Sequence, residues 1–230
     1  MLFKSYKVND WQLNLMQKKQ NISHAVMSRR FEPIKSLDNF PTPPWATRAL
    51  IEKVIRLEKV EELTCLEPAC GAGHMSKVLT EYFKSVEASD VHDYGHGKKI
   101  DFLSDFYNKK SFDWVITNPP FKLAEEFILK SLEVSRFGSA FLVRTNFLES
   151  IGRYERLFSQ FPPSCVAQFV ERVPIVKGRL DKYATTATGY AWLIWKKDKA
   201  PVAPQLKWIE PCRRSLEKDI DYIETISSTY

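Results

Sequence analysis

Several features that mark specialised chains are scarce or missing from these 230 residues. Cysteine occurs four times, at Cys65, Cys70, Cys165 and Cys212, without C-x-x-C spacing. That is too sparse for a disulfide scaffold and fits a reduced protein. The longest purely apolar runs, such as Ala191 to Trp195, are far shorter than the stretch of about 20 residues that crosses a bilayer, so no membrane association is expected. The opening MLFKSYKVND has neither an apolar core nor a small-residue cleavage site, so no secretory signal is expected and the cytoplasm is the expected location. Hydrophobic residues at 44% and charged residues at 27% exclude a disordered or collagen-like chain and leave enough apolar surface for a real core.

The charge is unevenly placed. The net value is +6. Residues 1–30 carry Lys4, Lys7, Lys18, Lys19, Arg29 and Arg30 against Asp10 alone. A second basic stretch runs from Arg172 to Lys199, opposed by Asp181 and Asp198. Two basic zones on a nearly neutral body suit a polyanion better than a small neutral ligand.

Residues 1–35 read as a basic N-terminal arm, 36–200 as the main domain, and 201–230 as a polar, peripheral tail. Prolines at 41, 43 and 44 force extended backbone and then permit a helix start, and Ala46 to Leu57 continues as an amphipathic helix. Strands are expected at Leu63–Glu67, Ser85–Ser89, Ile100–Leu103, Phe112–Thr117, Gly138–Arg144, Cys165–Val170 and Gly189–Lys196. Helices are expected at His74–Phe83, Leu123–Val134 and Tyr154–Phe161. This alternation predicts an α/β fold with a parallel sheet covered on both sides. The segment from Cys165 to Lys196 breaks the rhythm and predicts an antiparallel pair at the end of the sheet.

Three local signals carry chemistry. LEPACGAG, at 66–73, lies between a strand and a helix, where glycines let the backbone approach a ligand. It lacks the P-loop ending, and Glu67 would repel a phosphate, so a ligand bearing an ammonium group fits better. Asp90 closes the next strand, in the position suited to a ribose diol, with Asp93 as a neighbour that could share the role. Asp101 and Phe102 set an acceptor beside an aromatic ring, the pair an adenine needs. The sharpest signal is Asn118-Pro119-Pro120-Phe121 after the strand FDWVIT. Its prolines fix the backbone, so a planar NH₂ group could donate to the Asn118 side-chain oxygen and the Pro119 carbonyl while Phe121 stacks on the ring. His92 and His96, four apart in a Gly-containing loop, make a weak metal pair. Cys70 reads as a small apolar residue of the turn, and Trp192 and Trp195 as core.

With FPTPPW at 40–45, LEPACGAG and NPPF in that order, the chain resembles S-adenosylmethionine-dependent amino-methyltransferases, specifically DNA adenine-N6 methyltransferases of the gamma arrangement, including small phage and prophage methylases. The resemblance spans roughly residues 38–200. It implies a class I, Rossmann-like methyltransferase fold, a seven-stranded sheet whose last strand inserts antiparallel, and S-adenosyl-L-methionine as cofactor. By motif, Thr42 and Pro43 would hold the methionine end, with Phe40 packing near it. Glu67, Ala69, Gly71 and Gly73 would line the methionine and ribose, Asp90 would bind the ribose, and Asp101 and Phe102 would meet the adenine. Asn118, Pro119 and Phe121 would grip the substrate base, with no metal required. Larger members append a sizeable target-recognition domain, whereas about thirty residues follow the last expected strand here. DNA would therefore be held by Arg172, Lys177, Arg179 and Lys182 of the basic loop, by the arm, or by a partner, with short or no sequence preference. RNA and a protein glutamine remain alternative acceptors, because they too present planar NH₂ groups; Phe at 121, the motif order and the basic zones favour nucleic acid.

Overall fold

The computed structural model describes residues 38–197 and 203–225. The expected basic arm at 1–35 lies outside the described residues. The rest is organised around one eight-stranded sheet of order β3-β2-β1-β4-β5-β7-β6-β8. Its strands are β1 (Thr64–Glu67), β2 (Ser85–Asp90), β3 (Lys98–Lys99), β4 (Phe112–Thr117), β5 (Ser135–Arg144), β6 (Cys165–Phe169), β7 (Tyr190–Lys196) and β8 (Gln205–Ile209).

β1 to β5 run parallel, as the strand–helix alternation predicts. β7 pairs antiparallel with both β5 and β6 and so lies inside the sheet, between them. The expected antiparallel pair exists, but it does not end the sheet. Beyond it, β8 adds an eighth strand parallel to β6. The segment after 201 is therefore no peripheral tail. Its strand QLKWI escaped notice because Leu206 and Trp208 stay largely exposed at the sheet margin while only Ile209 is buried.

Period-two alternation builds a core on each side of the sheet. Trp114, Ile116, Leu142, Trp192 and Ile194 face one layer, whereas Val115, Phe141, Val143, Leu193 and Trp195 face the other. Helix α1 (Pro44–Ala49) continues in wider turns through Leu50–Ile55 and covers the first layer. The indole Nε1 of Trp192 donates to the Ala46 carbonyl at 3.1 Å, fixing α1 on β7. Helix α2 (His74–Leu79) is shorter than its expected span, and α3 (Ala124–Val134) packs Phe127 and Ile128 into the second layer. The helix expected at Tyr154–Phe161 begins and ends earlier, with turns over Ile151–Arg153 that continue in wider turns through Tyr154–Phe158.

Residues 213–221 are clasped to α1. Arg48, buried, pairs with Glu81 at 2.6 Å and Asp221 at 2.7 Å and donates to the Leu216 carbonyl at 2.9 Å. A guanidinium taken out of water needs such acceptors, and the clasp makes residues 213–221 part of the domain. No helix among the described residues is long and apolar enough to cross a membrane.

Candidate active site

The carboxyl ends of β1, β2 and β4 converge with the segment before α1 on one cavity, the place where parallel sheets bind ligands. Of the residues expected for a cofactor, Phe40, Thr42, Glu67, Ala69, Gly71 and Asp90 line it. Asn118, Pro119 and Phe121 of the NPPF turn line it as well.

Four expected residues are placed elsewhere. Pro43 caps the start of α1 outside the cavity lining. Gly73 caps α2 at φ +86°, where a Cβ would lie 2.5 Å from the His96 ring, so its role is to shape the turn. Asp101 and Phe102, expected to meet an adenine, do not line this cavity. β3 stops at Lys99, so the expected strand Ile100–Leu103 is instead a turn, in which the Asp101 carboxylate accepts from the Leu103 amide at 2.9 Å. Phe102 is thereby folded into the core, 5.1 Å from Phe127.

The turn after β1 is held by Asp90. Its carboxylate accepts from the Gly71 amide and from the His92 amide, each at 3.0 Å. Gly71 sits at φ +49°, a conformation that suits glycine. Glu67 is buried at the end of β1, with one carboxylate oxygen lacking any partner. Burial pushes its carboxyl well above the usual range, and hydrogen bonding to Ser76 only partly opposes this. Burial, then the charges of Glu67 and Asp90, push the Cys70 thiol up to about 12, which leaves no thiolate for nucleophilic chemistry.

Asn118 is aimed by backbone. Its Nδ2 donates to the Phe40 carbonyl at 2.9 Å, and its Oδ1 is buried without a partner. The Phe121 amide donates to the Asp38 carboxylate at 2.7 Å, tying the NPPF turn to the segment before α1. The Thr42 hydroxyl is a third buried polar atom without a partner. Three unsatisfied oxygens thus belong to residues lining one cavity, together with the acids Asp38 and Asp90 and no lysine or arginine. Such a lining takes a ligand that donates hydrogen bonds and carries positive charge, and disfavours a phosphate.

The basic loop between β6 and β7 reaches this site, since the Gly178 amide donates to the Asn39 carbonyl at 2.8 Å. Its cations are nevertheless engaged within the protein. Arg172 donates to the Ala187 carbonyl, Arg179 pairs with Asp181 at 3.1 Å, and Lys182 pairs with Asp219 at 2.6 Å. Lys177 is engaged as well. The histidines do not act as a pair, because His92 lines the cavity while the His96 ring hydrogen-bonds Ser76 at 2.7 Å.

Sequence reasoning missed Asp38, Tyr94 and Arg144. Asp38 and Tyr94 line the cavity. Arg144 ends β5 and lays its guanidinium 3.9 Å from the centroid of the Phe121 ring. Asp38, just before FPTPPW, could have been marked as an acid in the motif's flank. Nothing local marks Arg144.

The sheet order, with β7 inserted antiparallel between β5 and β6, is the class I, Rossmann-like methyltransferase fold. Solved structures agree. One is a Listeria monocytogenes protein provisionally described as a class I S-adenosylmethionine-dependent methyltransferase, with TM-score 0.53 and 15% identity over 84% of this chain and 71% of that one. Another is the modification subunit of a provisionally assigned type I restriction enzyme from Vibrio vulnificus, with TM-score 0.53 and 15% identity over 82% of this chain and 52% of the subunit. This chain therefore spans about half of that subunit's length. A third, from Pyrococcus horikoshii, is provisionally described as an RNA methyltransferase, with TM-score 0.50 and 20% identity over 66% of this chain and 83% of that one. No protein-family profile and no curated protein matches the chain.

Proposed function

We propose that this protein transfers a methyl group from S-adenosyl-L-methionine to the N6 amino nitrogen of adenine in DNA, with little or short sequence preference. The observation that carries the reading is the buried, unpartnered Oδ1 of Asn118, held by the Phe40 carbonyl at the edge of a cavity rich in acceptors. The lining fits the cofactor. Glu67 and Thr42 offer acceptors for its ammonium-bearing end, and Asp90, beside the glycine turn, offers one for its ribose. When bound, it supplies an electrophilic methyl on a sulfonium.

The protein's own task is to make a poor nucleophile attack in line. An adenine amino nitrogen delocalises its lone pair into the ring. With its two protons donated to Asn118 Oδ1 and the Pro119 carbonyl, electron density is drawn onto nitrogen and its geometry turns toward tetrahedral. Because Asn118 Nδ2 is committed to Phe40, its amide cannot flip to present a donor instead. Catalysis then rests on positioning and fixed dipoles. In duplex DNA the base must first leave the stack, at a cost of a few kcal/mol.

A glutamine carboxamide and an adenine in RNA present the same NH₂ geometry, so the test compares all three. Methyl transfer from labelled cofactor to DNA, RNA and a glutamine-containing protein, followed by nucleoside and residue analysis, should give N6-methyladenine from DNA. Label appearing in methylglutamine or in RNA alone would reject the reading.

A further inference from the structure

The face of Phe121 proposed to stack on the acceptor base is not bare. The Arg144 guanidinium lies 3.9 Å from the centroid of that ring and 5.7 Å from that of Phe40, while the two rings are 4.9 Å apart. These three distances put Phe40 at the side of Phe121 and Arg144 over its face. β5 lies next to β4 on the side away from β1, and Arg144 does not line the cofactor cavity. It therefore covers Phe121 on the flank remote from the glycine turn, the flank left for an acceptor once the cofactor is in place.

Arg144 has no carboxylate partner among the described residues to hold it there. It is half-buried, its Nε has no hydrogen-bond partner, and its side chain hydrogen-bonds that of Tyr190. Every charged pair near the site uses other cations: Arg179 with Asp181, Lys182 with Asp219, and Arg156 with Glu125. A guanidinium is planar, stacks on aromatic faces and binds phosphate in a fork. Lys122, immediately after Phe121, is exposed and adds positive charge at the same mouth.

Resting on the adenine reading above, we propose that Arg144 holds the base slot in the free protein and becomes a DNA ligand in the complex. Its planar head stands in for the acceptor ring on Phe121. When the base enters, the side chain swings off the ring and pairs with a backbone phosphate beside the everted nucleotide. The slot is thus kept open without water, and the departing group is drawn to the substrate that displaces it.

The idea predicts effects of opposite sign on two ligands. Arg144→Ala should weaken DNA binding about 10-fold and lower the slope of log affinity against log salt by about 1, because one phosphate contact is lost. The same variant should bind free adenosine, which has no phosphate, several-fold more tightly than the parent, because the slot is vacant. Arg144→Lys should keep the salt slope. Cofactor affinity within twofold of the parent confirms that both variants are folded. An unchanged salt slope in Arg144→Ala, or weaker adenosine binding, overturns the proposal while leaving the methyltransferase reading in place. A parent protein that methylates no adenine and binds no adenosine overturns both.

Discussion

The two sides of the site store binding capacity in different ways. Around the ends of β1, β2 and β4, the oxygens of Thr42, Glu67 and Asn118 are buried and left without partners. In the loop joining β6 to β7, every cation expected to touch DNA is already satisfied, by Asp181, by Asp219, by the Ala187 carbonyl or, for Lys177, by a further contact. A buried unpaired group costs free energy until a ligand arrives, so its full interaction strength appears on binding. A solvated ion pair must first be exchanged, and the gain is only a difference. The cofactor and amine side should therefore respond sharply to single substitutions and the basic loop only mildly.

The largest effect tests the unpaired side directly. Asn118→Ala should retain cofactor binding but lose methyl transfer by about 10² to 10³-fold, the scale for removing one aligned electrostatic contact. An active variant, measured in single-turnover assays, would break the comparison at its strongest point. Next, Asp90→Ala removes a charged acceptor for the ribose and frees the Gly71 and His92 amides. Cofactor affinity by calorimetry should fall by roughly 10- to 100-fold, given about 1.5–3 kcal/mol for a hydrogen bond to a charged group. Unchanged affinity would move the ribose role to another acid.

A third effect is linked to protons. Burial raises the Glu67 carboxyl in the free protein, so the protonated form is favoured there, whereas a cationic ligand favours the carboxylate. Cofactor binding should release a proton, and affinity should rise with pH through the range in which Glu67 ionises. The raised value also means that stability is fully present below the unfolded carboxyl range of about 4.3 and declines as pH rises through the folded value. Glu67→Gln should abolish both dependences, as read by calorimetry in buffers of different ionisation heat and by urea midpoints across pH. The smallest effect belongs to the basic loop. Changing Lys177, Arg179 and Lys182 together to Ala should lower the salt slope of DNA binding by less than the value of about 1 per free phosphate contact. A full loss of about 3 would show that the internal pairs exchange for phosphate at no cost, and the contrast between the two sides would fail.

What was legible in the sequence follows the range of the interactions involved. Strand-to-helix turns announce themselves locally, so LEPACGAG and NPPF could be read, and the apolar runs FDWVIT and GYAWLIWK marked central strands. β8 was missed because a margin strand with exposed Leu206 and Trp208 lacks the apolar continuity of a buried one. The burial of the Phe102 ring was not legible, because it follows from the early stop of β3. The pairing of Lys182 with Asp219 spans 37 residues, and the stacking of Arg144 on Phe121 depends on β4 and β5 ending side by side. Charge counts saw these residues only as positive.

The position of β7 also bears on how the molecule is made. Synthesis delivers β5 and β6 before the strand that must slot between them, and α1 waits for Trp192, 146 residues further along, to receive the donor for its Ala46 carbonyl. A chain still on the ribosome with β7 inside the exit tunnel therefore has β5 and β6 without their shared partner, each exposing an unpaired edge. Closure over such sequence distances is slow relative to local helix formation. The Phe40 carbonyl that orients Asn118 is carried by the strap leading into α1, which β7 secures. Filling of the gap between β5 and β6 and arming of the site should thus be a single late event, and a nascent fragment that stops before Tyr190 should be both aggregation-prone and inert.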